Sequence, residues 1–414
     1  MNRIKKILKT YGKSFVKWVL IAAAVGAVSG VVGALFHKAI AFATQTREGN
    51  PRLIFFLPLA GIVIIAMYRL SKQNLSTNTV IDCIRSKQAA SNLLVPFIFI
   101  GAFLTHLFGG SAGREGAALQ IGGGIGSAAG RLLKLRKESM GTIIMCGMSG
   151  AFSAIFTTPV TAAVFSMEVV SVGHIRYFRF LPCMLSSAVA FEITRLMGNA
   201  PLFYHISGIP GPSAAEMARV VLFSLAAAAI SIIFCISLHM AEKGFKKYIK
   251  NPYIISALGG AVIVLLTLSV GTTDYNGAGM NIVESALSGS SAPYSAFALK
   301  LIFTAVTVGA GFKGGEIVPA FFVGTTFGCA FGAFFGLDPS FAAALGLLCM
   351  FCGISNCPFA TLIMGVELFG SSGIMYYALS CAVCFVMSGP YGLYSSQKLV
   401  YSKYSSDEID RFSI

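Results

Sequence analysis

Residues 109–122 read GGSAGREGAALQIG. A base and an acid, Arg114 and Glu115, stand side by side between Gly113 and Gly116, and small residues continue through Gly122, Gly123 and Gly124. Glycine lets a backbone come close to a neighbour or a ligand, and small residues let helices approach inside a bilayer. A carboxylate at the start of a helix sits where the N-terminal dipole favours negative charge. The stretch predicts a membrane helix that starts at Glu115 and holds an acid at depth.

The same pattern returns 201 residues later as Gly314-Gly315-Glu316, again ahead of a Gly-spaced apolar run. Residues 147–170, GMSGAFSAIFTTPVTAAVFSMEVV, and 348–370, LCMFCGISNCPFATLIMGVELFG, form another matching pair. Thr157-Thr158-Pro159 and Asn356-Cys357-Pro358 both read as helix starts. In each, an acid follows the proline by nine residues, and these acids, Glu168 and Glu367, are 199 residues apart. Two landmarks with nearly one offset indicate an internal repeat of about 200 residues. Backbone broken at membrane depth is tolerated only where protein buries it or where it lines a cavity. Breaks at corresponding places in two halves point to a transport site near the bilayer midplane.

Composition agrees. The 414 residues are 56% hydrophobic and 11% charged, with mean hydropathy +0.77. Soluble chains carry roughly 25% charged residues, so a soluble multidomain reading is excluded and a polytopic, all-α membrane protein is expected. The net charge of +15 lies in short segments between apolar runs, which favours anionic lipid headgroups over nucleic acid. The ten cysteines include two CxxC pairs, Cys349/Cys352 and Cys381/Cys384, in apolar stretches without histidine; they read as packing residues, with no metal and no cofactor expected.

Positive charge sets the expected topology. Residues 1–17 hold Arg3, Lys5, Lys6, Lys9, Lys13 and Lys17 and no acid, so they form a basic cytoplasmic N-terminus rather than a cleaved signal. Arg131, Lys134, Arg136 and Lys137 mark a second cytoplasmic turn, and Lys243, Lys246, Lys247 and Lys250 a third. Residues 199–218 and 272–296 contain no Lys or Arg and should face outward, with single spans at 219–241 and 252–271 between these landmarks. The expected organisation is a first membrane repeat over 18–210, a second over 211–398, and a short tail over 399–414 with no soluble regulatory domain, all in a multi-pass cell-membrane protein.

A helix N-terminus offers unpaired N–H groups and about half a positive charge. Several aimed at one point make an anion site without a fixed cation, which suits a small inorganic ion that must also leave. Glu115 and Glu316 sit at such starts. Charge at membrane depth is costly and marks an ion or proton path. Glu115 reads either as a cap or as a carboxylate that occupies the anion's own site and is displaced or protonated in turnover. Glu168 and Glu367 read as structural acids.

Residues 109–122 closely resemble the glutamate-gate segment of the CLC family of chloride channels and anion/proton antiporters. Gly311-Phe312-Lys313-Gly314-Gly315-Glu316-Ile317-Val318-Pro319 resembles the family's second-half pore segment, and Gly392-Leu393-Tyr394-Ser395 its tyrosine motif. The resemblance covers about residues 15–400. It implies an inverted repeat of two halves with broken and tilted helices, and a homodimer with one chloride or fluoride pathway per subunit. It makes Glu115 the gate and proton carrier. The anion would be held by Gly113, Arg114 and Gly116, by backbone amides near Ile317 and Val318, and by the Tyr394 hydroxyl. In place of the family's serine-bearing Gly-Ser-Gly-Ile-Pro loop stands Leu75-Ser76-Thr77-Asn78-Thr79-Val80. Asn78 takes the central position there, or else Thr77 or Asn78 is a helix cap. The inner proton-accepting glutamate of many antiporters becomes Val169. Glu316 supplies another acid and resembles the fluoride-exporting branch, although Val318 stands where that branch typically has threonine. Proton-coupled halide antiport and a passive, voltage- or pH-gated chloride channel both fit. Gly147-Met148-Ser149-Gly150 also matches an intramembrane serine protease motif, but no histidine base accompanies it, and the chain reads as no enzyme.

Overall fold

A computed structural model describes residues 2–71, 75–405 and 407–414, with side chains from residue 12 onward apart from the same gaps. The basic side chains of Arg3, Lys5, Lys6 and Lys9 lie outside the described residues. The first half forms α1 (Asn2–Gly49), α2 (Leu57–Leu70), α3 (Thr77–Ser86), α4 (Leu94–Leu107), α5 (Glu115–Leu132), α6 (Lys137–Phe156), α7 (Pro159–Glu168) and α8 (Phe180–Leu196). The second half repeats the order with α9 (Ala214–Tyr248), α10 (Pro252–Val270), α11 (Met280–Leu287), α12 (Ala296–Gly309), α13 (Ile317–Phe331), α14 (Pro339–Ser355), α15 (Pro358–Phe369) and α16 (Ile374–Met387).

Among the described residues, six helical segments are long and apolar enough to cross a membrane, including α9 and α10 at the two expected single spans. The span expected to end near 241 runs on to Tyr248, because Lys246 and Lys247 continue the helix and sit in its last turn, where the dipole favours cations. Several other apolar helices have only 10–17 residues, too short for a ~30 Å core at 1.5 Å per residue. Two of them, α14 and α15, meet at the Asn356–Pro358 break.

The breaks are copies of one another in backbone geometry. Helix α6 ends on Thr157 at φ 56°, ψ 29°, and α14 on Asn356 at φ 57°, ψ 34°. The next residues, Thr158 at φ −117°, ψ 81° and Cys357 at φ −120°, ψ 74°, then lead into Pro159 and Pro358. A left-handed residue is uncommon outside glycine, so two at equivalent positions are strong evidence for a structural repeat.

Each acid that follows these prolines caps the helix of the other half. Glu367 accepts from the backbone N–H of Val160 (2.9 Å) and Thr161 (2.8 Å) and from the Thr161 hydroxyl (2.6 Å) at the start of α7. Glu168 accepts from the N–H of Phe359 (3.2 Å) and Ala360 (2.9 Å) at the start of α15. The structural reading of both acids is correct, and the exchange locks the halves together. The CxxC pairs pack α14 on α16: Cys352 donates to the Cys381 carbonyl and Cys384 to that of Cys349.

The tail adds a feature that an all-α reading does not contain. Lys398–Tyr401 (β2) pairs with Ser171–Val172 (β1) in parallel and with Glu408–Phe412 (β3) in antiparallel fashion. Lys403, in the turn between β2 and β3, donates to Asn356 Oδ1 (2.5 Å) and Ser388 Oγ (2.9 Å). Burial pushes its ammonium down to about 8, so it remains a charged donor at neutral pH.

The crossed caps set a measurable stability. Hydrogen bonds to charged groups contribute about 1.5–3 kcal/mol each, and their loss is not additive. Glu367→Ala should therefore destabilise the protein in detergent by about 3 kcal/mol, and Glu367→Gln, which keeps one acceptor, by about half of that. Unchanged unfolding temperatures in both variants would show that the α7 terminus does not depend on this carboxylate.

Candidate functional site

Helices α5 and α13 start from segments that touch. Gly113 and Gly315 form an isolated antiparallel bridge, with Gly113 N–H donating to Gly315 O (2.7 Å) and Gly315 N–H to Gly113 O (2.6 Å). The helix starts, Glu115 and Ile317, are offset by 202 residues, so Gly113 and Gly315 are equivalent and a local two-fold relation passes between them. Glu316 thus corresponds to Arg114, one residue off the offset of 201 that the motifs suggest. No side chain fits here. A Cβ on Gly315 would collide with the amide of Gly116, and one on Gly116 would lie 2.8 Å from Gly315 Cα.

Glu115 is the first residue of α5 and is 1% exposed. Its carboxylate turns back on its own helix start, where Arg114 N–H donates to Oε2 (2.8 Å) and Arg114 Nε lies 3.5 Å from Oε1. The Arg114 guanidinium also meets His37 Nε2 at 3.3 Å. A carboxylate that takes a helix-terminal N–H occupies a position an anion would use.

On the other side of the bridge lies a cavity of about 970 Å³. Its lining includes the start of α3 from Ser76 to Thr79, Gln120 of α5, Gly314 and Glu316 ahead of α13, and Tyr394; Glu115 does not line it. Tyr394 is buried, and its hydroxyl has no hydrogen-bond partner among the described residues. At the start of α13 the N–H groups of Ile317 and Val318 precede Pro319, which has none. This chamber thus brings together a buried hydroxyl and a carboxyl directly ahead of the start of α13. That arrangement can strip and hold a small anion.

Residues 68–389 match the family described as voltage gated chloride channel. The chain belongs to the CLC family. It is 31% identical over 397 residues to the chloride/fluoride channel protein of Pseudomonas syringae pv. tomato, covering 94% of this chain and 88% of that relative. It is 24% identical over 448 residues to the H(+)/Cl(-) exchange transporter ClcA of Vibrio vulnificus, covering 97% and 92%. A solved CLC-type fluoride/proton antiporter superposes with TM-score 0.89 at 28% identity, covering 92% of this chain and 98% of that one. The fold is the CLC inverted repeat.

In this CLC chain the structure places the expected residues unequally. Glu115, Gly116, Ile317 and Val318 cluster at the two helix starts, and Glu316 and Tyr394 line the chamber. Gly113 is corrected from donor to spacer, because its N–H is taken by Gly315. The Arg114 N–H is likewise taken, by the Glu115 carboxylate. Asn78 also lines the chamber, but its Oδ1 accepts from Ser396 N–H (3.2 Å), so it braces the segment after Tyr394. The cap of α3 is neither Thr77 nor Asn78 but Ser76, which accepts from Thr79 N–H. Val169 is fully buried and its carbonyl accepts from Gln397. Ser149 donates to the Cys183 carbonyl (2.7 Å), an interhelical packing role.

Three features went unread in the sequence. Gln120 donates to Thr77 Oγ1 (3.1 Å) and joins α5 to the start of α3; its place inside the quoted motif was the available signal. Lys300 is fully buried and donates to the carbonyls of Tyr275 (3.1 Å) and Gly277 (2.7 Å). It is the one basic residue of the apolar helix Ala296–Gly309, which could have drawn notice. Arg47 donates to the His106 carbonyl (3.2 Å). The loop held by Lys300 packs on the segment ahead of α5, with Gly277 N–H donating to Gly110 O (3.0 Å) and Asn276 Nδ2 to Gly109 O (2.8 Å).

The bridge gives a direct test. Gly315→Ala should abolish anion flux in liposomes, since its Cβ must push α5 and α13 apart. Gly244→Ala, where a Cβ meets nothing within 4 Å, should leave flux at the wild-type level. Normal transport by Gly315→Ala would show that the close crossing is not needed.

Proposed function

We propose that the chain is a proton-coupled halide antiporter that exchanges chloride or fluoride for protons through the Glu115 gate. It acts as a transporter and not as an enzyme, with no cofactor. The observation that carries this reading is the Glu115 carboxylate seated on the Arg114 N–H at a helix start: carboxylate and anion compete for one place. A group that alternates between that seat and an exposed position can also carry a proton. The anion is held from Gly116, Ile317, Val318 and Tyr394, with Asn78 and Arg114 bracing the site. The relatives named as a chloride/fluoride channel and an H(+)/Cl(-) exchange transporter, and the fluoride/proton antiporter of like fold, support this reading.

The protein works as a homodimer embedded in lipid, with its N-terminus in the cytoplasm, as the basic stretch before the first span indicates. Its repeats occupy 18–210 and 211–398, between the 1–17 stretch and the 399–414 tail. One observation favours a passive chloride channel instead: Val169 leaves no acid at the usual inner proton position. Glu316, which lines the chamber, supplies the alternative proton route.

Liposomes loaded with KCl or KF, with valinomycin present, decide among these when ion efflux and proton uptake are recorded together. Antiport moves protons uphill on an anion gradient; a channel does not. Efflux of a single anion fixes the selectivity.

Two variants assign the roles. Glu115→Gln should lose proton movement altogether, with anion flux either uncoupled or stalled; uphill proton transport at the wild-type rate would remove Glu115 from the mechanism. At equal expression, Glu316→Gln should impair proton coupling more than Glu168→Gln, whose residue caps α15. Full coupling in Glu316→Gln would return Glu316 to a structural role.

A further inference from the structure

A second cavity, of about 260 Å³, shares no lining residue with the pore chamber. It lies between the end of α3, the stretch from β1 to the start of α8, and strand β2. Its basic lining is Arg85, Lys87, Arg176, Arg179 and Lys398, with His174 beside them, and among the described residues no Asp or Glu lines it.

Arg179 is the decisive member. It is 6% exposed, its Nε has no partner, and Nη1 reaches only the Met145 sulfur at 3.3 Å. Thioether sulfur is a weak acceptor. Among the described residues no carboxylate lies within ion-pair distance of Lys87, Arg176 or Arg179; Arg85 and Lys398 have Asp82 (3.7 Å) and Asp410 (2.5 Å), both outside the lining. A buried guanidinium without an acid is unfavourable unless something completes its hydrogen bonds.

We infer that this cavity binds a phosphate group, carried either by an anionic lipid headgroup or by a soluble phosphate compound. A halide is far smaller than the space and accepts no forked pair of hydrogen bonds. Phosphate carries more charge and matches the planar guanidinium fork. Tyr177 and Phe178, 80% and 66% exposed, stand beside the cavity, as aromatic residues do at a headgroup boundary. Occupancy would bear on the pore. Arg85 Nη1 donates to the Ser396 carbonyl (2.5 Å), two residues after Tyr394, and Lys398 opens β2. A phosphate that draws on these cations sets the position of the segment that carries the Tyr394 hydroxyl.

The test uses the purified full chain in detergent and reads its unfolding temperature. It is titrated separately with inorganic phosphate and with dihexanoyl phosphatidic acid, against sodium gluconate at matched ionic strength. A ligand that binds only the folded state raises that temperature in a saturable way. At least one phosphate compound should do so where gluconate does not. A response to phosphatidic acid alone assigns the group to lipid; a response to inorganic phosphate as well assigns it to a soluble compound. Lys87→Gln and Arg176→Gln, both at exposed positions that leave the fold intact, should each raise the half-saturating concentration about tenfold. No saturable response to either compound, or a response that both variants leave unchanged, overturns the proposal.

Discussion

A helix that begins inside a bilayer exposes N–H groups where water cannot satisfy them, and each one left bare is costly. The CLC fold described here answers that constraint in two ways. At α7 and α15 the free N–H groups are closed by a carboxylate from the opposite half. At α5 the Glu115 carboxylate turns back onto the Arg114 N–H, and among the described residues no side chain caps the start of α13. The closed pair holds the two halves together, and the more open pair frames the proposed ion site. One electrostatic problem is thus met in two ways.

The open pair depends on how closely two backbones can meet. The Gly113–Gly315 bridge uses up one N–H and one carbonyl on each segment, which narrows the choice of donors for an ion to the first residues of the helices. Behind the bridge the Lys300-held loop presses on Gly109 and Gly110. That loop comes from the second half and the segment ahead of α5 from the first, so the approach to Glu115 is supported from both halves.

The architecture was largely legible because acids and prolines are rare in so apolar a chain, and their common offset exposed the repeat directly. Glu115, Glu316 and Tyr394 were legible through their motifs. The crossed caps were not, since Glu168 and its partner Ala360 are 192 residues apart and no local pattern links them. Asn78 was placed in the right chamber but with a role that depends on Ser396, 318 residues away. Gly113 misled because spacing shows that backbone can come close without showing which N–H is already taken. The tail sheet escaped notice because β1 is two residues long, below any periodicity that could announce a strand.

The exchange of caps also has a consequence in time. Val160 and its acceptor on Glu367 are separated by 207 residues. At roughly 5–20 residues per second of synthesis, α7 waits on the order of 10–40 s before its partner carboxylate exists. During that interval the first half is already apolar enough to enter the membrane, yet one of its helix starts is bare. The nascent half must therefore keep that end near the headgroups or against the insertion machinery, and settles only when the second half arrives. The capping of each half is thus a handshake between residues made far apart in the life of the chain.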